Sequence, residues 1–443
     1  MNVPTEAVAP IADDATEAVI RRAMWRLMPL IMISYFFAFF DRINIGFAKA
    51  ALQADLGIGN TAYGLGASLF VVGYVLFEVP SNMMLYRTGS RQWLARIMVS
   101  WGIATAAMMF VHSAWSFYAL RFLIGALEAG FSPGILFYMT LWFPASHRGR
   151  VTSLLFVASA CSGIVGAPLG GLILGGLNGA LGLPGWNWLF LFGGIPSVLL
   201  GLVVLRFLDN RPEEARWLSW PEKALLIEAV AAGRGPAQGH SLGAALRTPG
   251  FLLLGLVYFL IQIASYGLNF WAPDLIRTAS GGSPALIGLL TAVPYLCGAI
   301  CMLWLARRAD ASGERRHAVT GCLMIAALGF VGAGLFAHQA AMLVVALGLI
   351  GTGVVAAVPS FWALPPRLLA GAGAAGGIAL INTLGQFGGI VSPVMVGWIK
   401  DATGSATPAL YLTAVLCLLC AALLHFHAPE GLSGKDGASR LAG

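Results

Sequence analysis

Charged side chains are scarce in this sequence. Asp, Glu, Lys and Arg make up 10% of its 443 residues, against about 25% in an average soluble domain. With 58% hydrophobic residues and a mean hydropathy of +0.81, that scarcity excludes a water-soluble globule and leaves a polytopic, all-α membrane protein. No HExxH metalloprotease signature and no cluster of metal ligands occurs, so no enzymatic role, cofactor or metal is expected. Cysteine is sparse too: Cys161, Cys297, Cys301, Cys322, Cys417 and Cys420 all sit in apolar segments. Cys417 and Cys420 form a CxxC without a second pair, which reads as apolar packing. No cleavable signal is expected, because residues 1–20 are polar and acidic and the first apolar run is long enough to span. The net charge of +7 does not imply nucleic acid, since basic residues collect on the cytoplasmic side of membrane proteins.

A membrane span needs about 20 apolar residues. Twelve such runs are read between 27 and 427, the first at 27–48 and the fourth at 114–143. The longest polar break lies near the middle, giving a cytoplasmic segment 1–26, a six-helix half 27–208, a cytoplasmic loop 209–247, a second six-helix half 248–427 and a cytoplasmic tail 428–443. Of the 26 Lys and Arg residues, 21 then fall on the inner side. Three fall outside (Lys49, Arg277 and Lys400), and Arg42 and Arg121 remain within spans, so both termini are expected in the cytoplasm. The halves echo each other: "RTGSR" (87–91) against "DASGERR" (310–316), and "GIVGAP" (163–168) against "GIVSP" (389–393). Two halves with a site between them at mid-depth is a transporter plan. The spacings Gly166/Gly170, Gly171/Gly175 and Gly130/Gly134 point to close helix packing.

Against this background Asp41, Arg42, Arg121 and Glu128 stand well inside spans. Each ionisable residue at a helix centre costs about 2.5–3.5 kcal/mol on insertion scales. Arg121 and Glu128, spaced i, i+7, share a helix face, so spans 1 and 4 can present two guanidiniums and two carboxyls to one cavity. Internal salt bridges that only pin helices are the plain alternative, although such pairs add little net stability. A guanidinium binds a carboxylate through two parallel bonds and cannot lose its charge, which assigns Arg42 and Arg121 to an anionic substrate. The acids suit protons: Glu128 first, then Asp41, whose neighbour Arg42 is expected to release it when a substrate anion takes the arginine. Glu78 precedes "VPSN" and a basic loop and is expected to make a structural bond there. Polar residues that complete the substrate site are Tyr74, Gln262, Tyr266, Ser360, Trp362 and Asn382, with Gln386 one turn beyond Asn382.

These features together resemble a known family. The twelve spans, central loop and loop repeats resemble the major facilitator superfamily. "DRINIGFA", "EVPSN", "RFLIGALEAGFSPG", "FWALP" and "GWIKDATGS" resemble its anion:cation symporter family over about 27–427. The resemblance implies import of sugar acids, tartrate or aromatic carboxylates with protons, with anion-binding roles for Arg42 and Arg121 and proton roles for Asp41 and Glu128. It departs at Asn82 and Tyr86, where the superfamily loop pattern expects Gly and Asp. The expectation is a monomeric proton-coupled symporter for a small organic anion in the cell inner membrane. An exchanger or uniporter on the same fold is the nearest alternative, and a non-transporting receptor for the acid a further one.

Overall fold

The computed structural model describes residues 9–232, 250–312, 315–368 and 374–427. Within them lie twelve helices long and apolar enough to cross a membrane. Helix is the form an apolar run takes in lipid, because it satisfies every backbone N–H and C=O within the segment. The first half comprises α1 (Ala9–Leu56), α2 (Asn60–Thr88), α3 (Ser90–Ala107), α4 (Ala114–Glu128), α5 (Phe131–Trp142), α6 (Ala145–Gly176) and α7 (Gly185–Phe207). A short helix α8 (Trp220–Ala232) sits in the central loop. The second half holds α9 (Phe251–Ser280), α10 (Pro284–Ser312), α11 (Arg315–Leu335), α12 (Ala340–Trp362), the one-turn α13 (Pro365–Leu368), α14 (Ala374–Thr403) and α15 (Thr407–Phe426).

Two elements differ from the sequence reading. Helix α1 runs 48 residues, well past both ends of the expected span. The fourth span is two helices, broken where Ala129 turns extended (ψ 133) and Gly130 adopts the left-handed region (φ 87). A Cβ on Gly130 would collide with the Ser81 hydroxyl, so glycine meets both a backbone and a packing need there. The break falls directly after Glu128.

Packing within the halves is repeated. Helices α1 and α6, α2 and α4, and α3 and α7 pair in the first half, and α9 and α14, α10 and α12, and α11 and α15 pair correspondingly in the second. Across the halves α2 packs on α14, α6 on α10 and α1 on α9. Some of these crossings bring backbones into contact. A Cβ on Gly171 would strike the Pro284 carbonyl, and one on Gly64 the Pro393 carbonyl. Both lie toward the bundle end remote from the termini, here the distal end. The end that carries α8 and the chain termini is the terminal end.

Candidate functional site

Helix α1 delivers Asp41 and Arg42 to different neighbours, because successive helical residues point about 100° apart. Asp41 is buried and accepts a hydrogen bond from Thr105 Oγ1 of α3 at 2.9 Å. Arg42 turns to α4, where its Nε and Nη2 reach Glu128 Oε1 at 2.9 and 2.6 Å. The partner of Arg42 is therefore Glu128 and not Asp41. The second Glu128 oxygen is buried without a protein partner. Arg121, 1% exposed, lies with its guanidinium 4.7 Å from the Phe70 ring centre, and Arg42 lies 5.4 Å from the same ring. Nε and Nη2 of Arg121 have no protein partner. The two arginines thus flank one aromatic ring, one of them paired and the other with donors to spare.

Tyr74 on α2 backs Arg42, with the guanidinium 5.1 Å from its ring. One turn on, Glu78 accepts from Asn382 Nδ2 of α14 at 3.3 Å. This overturns the expected bond from the Glu78 side chain to the adjacent loop: its carboxylate joins the two halves, and only its backbone carbonyl bonds locally, to Asn82. One turn beyond Asn382, Gln386 Oε1 accepts from Tyr266 Oη at 3.1 Å. Gln262 is buried where α9 passes Gly388 of α14. Tyr74, Glu78, Asn382, Gln386 and Tyr266 therefore form one polar line running from the arginines into the second half. Ser360 and Trp362 belong to different surroundings. Ser360 Oγ bonds its own helix at Ala356, and Trp362 packs edge-on against Tyr258 at 4.9 Å, so neither is tied to the arginine pair by a direct contact.

The sequence reading missed an ionic lock at the distal end. Lys49, taken there for a loop residue, is 1% exposed on α1 and meets Asp274 of α9 at 2.5 Å. Asp274 also holds Lys400 of α14 at 2.7 Å and Arg277 at 2.9 Å. The Lys49 ammonium lies 4.1 Å from the Trp271 ring. Beside it, Asp401 of α14 accepts four hydrogen bonds from Asn60 and Thr61 of α2, at 2.6–3.1 Å. Each acid sits in one half and bonds the other. The signal in the sequence was slight: lone charges near the ends of three spans, where charges are ordinary. Among the described residues no group of His, Cys, Asp and Glu is arranged to hold a metal, and Cys417 and Cys420 are buried in the core.

Comparison with known proteins agrees with this architecture. The family model of the Major Facilitator Superfamily matches residues 31–276 and 254–442. A protein of Agrobacterium vitis named for tartrate transport is 44% identical over 416 residues, covering 93% of this chain and 92% of its own. The metabolite transport protein NicT of Pseudomonas putida is 40% identical over 425 residues, covering 96% and 97%. The quinolone resistance transporter of Acinetobacter baumannii is 38% identical over 409 residues, covering 91% and 94%. Among solved structures, a D-xylose–proton symporter superposes with a TM-score of 0.73 at 15% identity, over 93% of this chain and 99% of its own. At that identity it speaks for the fold alone. The chain is a membrane transport protein, not an enzyme, and it belongs to the Major Facilitator Superfamily.

Proposed function

We propose that this protein is a proton-coupled symporter that imports a small organic anion by alternating access, seated in the cell inner membrane with both termini in the cytoplasm. The observation that carries the reading is the Arg42–Glu128 pair, flanked by the spare donors of Arg121. A substrate carboxylate that takes Arg42 displaces Glu128, and the freed carboxylate, buried between helices, accepts a proton. Anion and proton then cross together. The release by a substrate anion that was expected for Asp41 thus falls to Glu128, the first choice for the proton, because Glu128 is the direct competitor for Arg42. Asp41, held by Thr105, is a second proton site reached through α3. The names of relatives supply the substrate class: tartrate in one, an unspecified metabolite in another. The polar line from Tyr74 through Asn382 to Tyr266 suits the hydroxyls of a sugar acid or tartrate.

The energetics fit import. An interior about 100 mV negative opposes entry of each negative charge by about 2.3 kcal/mol, and one proton per monoanion removes that cost. The ionic lock and the glycine contacts close the distal end, which on the proposed topology is the outer side. The test is uptake of labelled tartrate and of sugar acids into proteoliposomes under an imposed proton gradient. Accumulation that collapses with a protonophore supports symport. Uptake that only equilibrates, whatever the gradient, would convert the reading to exchange or uniport.

A further inference from the structure

The terminal end carries a cationic groove that the transport cycle does not use. It has a volume of about 550 Å³ and is lined by Ala18, Arg21, Arg22, Trp25, Arg26 and Trp217. The three arginines and Trp25 fall at i, i+1, i+4 and i+5 of α1, so they share one side of the helix. The opposite wall is fixed to the first half: Trp217 donates from Nε1 to Asp209 Oδ2 at 2.9 Å and stacks on Trp142 of α5 at 5.8 Å. Arg26 lies 5.1 Å from the Trp217 ring. Arg22 meets Glu222 of α8 at 2.8 Å. Glu17, nearby on α1, lies 2.9 Å from His147 Nε2, and among the described residues Arg21 and Arg26 have no carboxylate within ion-pair distance. Two of the three guanidiniums that line the groove are thus unpaired.

Its depth and its floor say what fits. The apolar run starts at Leu27, so Arg26 marks the edge of the hydrocarbon. From Arg26 to Arg21 the helix rises about 7.5 Å, comparable to the roughly 5–8 Å headgroup layer on each side of a bilayer. Trp25 is 77% exposed, as suits a ring at the headgroup level. Below it, Pro29 and Ile33 continue the same side of α1 at successive turns, and both are exposed. A groove of arginines therefore opens directly onto an apolar track running into the membrane. Arginine forks bind phosphate oxygens in pairs, and basic pockets at this level take acidic lipid headgroups.

We infer that this groove is a binding site for one anionic glycerophospholipid, its phosphodiester held by Arg21 and Arg26 and an acyl chain lying along Trp25, Pro29 and Ile33. The site tethers the amino-terminal turns of α1 to the membrane surface and, through the Arg22–Glu222 pair, the central-loop helix as well. The inference is independent of which solute is carried.

Native mass spectrometry of the full chain, titrated with phosphatidylglycerol or phosphatidylcholine, tests it. Wild type is expected to retain one phosphatidylglycerol at least tenfold more tightly than phosphatidylcholine. The Arg21→Gln/Arg26→Gln variant should lose that preference, and Arg87→Gln, an exposed basic residue on α2, should keep it. Trp25→Ser, which leaves every charge in place, should weaken retention of both lipids severalfold. Equal retention of the two lipids by wild type, or an unchanged preference in the double variant, overturns the proposal. Displacement of the lipid by inorganic phosphate or by soluble glycerophosphoglycerol at comparable concentration would also overturn it, in favour of a site for a free anion.

Discussion

At the scale of single residues, the Arg42–Glu128 contact makes distinct demands on its two partners. Glutamine in place of Glu128 keeps a carbonyl oxygen for Arg42 but cannot take up or release a proton. Glu128→Gln is therefore expected to abolish proton-driven accumulation while counterflow exchange of labelled for unlabelled substrate continues. Equal loss of both would make Glu128 part of the binding surface alone. Arg42→Ala and Arg121→Ala should each weaken substrate binding, read by isothermal titration, by about thirtyfold or more, since truncating one partner of a buried charged pair costs about 2 kcal/mol at the least. An unchanged affinity removes that arginine from the site. The four ionisable residues of the site, Asp41, Arg42, Arg121 and Glu128, were legible in the sequence because charge inside an apolar run is expensive and rare. Who pairs with whom was not, because Asp41 and Arg42 are neighbours in the chain yet face different helices.

At the scale of elements, the break between α4 and α5 places Glu128 at a helix end opposite α1. Gly130 holds that break at φ 87. Gly130→Ala meets both an unfavourable backbone region, at about 1–3 kcal/mol, and the Ser81 hydroxyl, so a lower melting temperature is expected in a thermal unfolding assay. The twelve spans themselves could be read from hydropathy, but this interruption could not. Phe131 to Trp142 is apolar enough to look continuous with what precedes it. The long amino-terminal extension of α1 escaped for the opposite reason, since polar residues carry no hydropathy signal. The distal lock is another property of helix ends. Asp274→Asn removes the charge that Lys49, Lys400 and Arg277 share, and should release α1 from α9 and α14. A cysteine placed at Ala50, beside the lock, is then expected to react faster with an impermeant maleimide than in the otherwise unaltered protein. No change in rate would mean that the glycine contacts alone keep the distal end shut.

At the scale of the whole molecule, the halves meet distally through both charge and backbone proximity. Gly171 on α6 fits against Pro284 and Gly288 of α10, leaving no room for a side chain. Gly171→Val should wedge this seam and favour the outward-facing arrangement. Spin labels at Leu181 and Ser283, in the loops that flank the seam, are expected to show a longer distance component than in the Gly171 protein. The two-half plan was visible in the sequence through its echoes, because repeated loop motifs survive where side-chain pairings do not. The seam was visible only as a density of glycines, with nothing in one dimension to say which glycine meets which helix. The arrangement around Arg42 also has an electrical consequence. On the proposed symport, Glu128 serves as an understudy for the solute when no cargo is aboard, so the empty carrier would recross with Arg42 already neutralised. A monovalent acid arriving with one proton leaves that total unaltered, and a patch-clamp recording of such turnover should be silent. A divalent acid sharing the same single proton would bring one surplus negative charge per cycle, and the identical machine would then register a current.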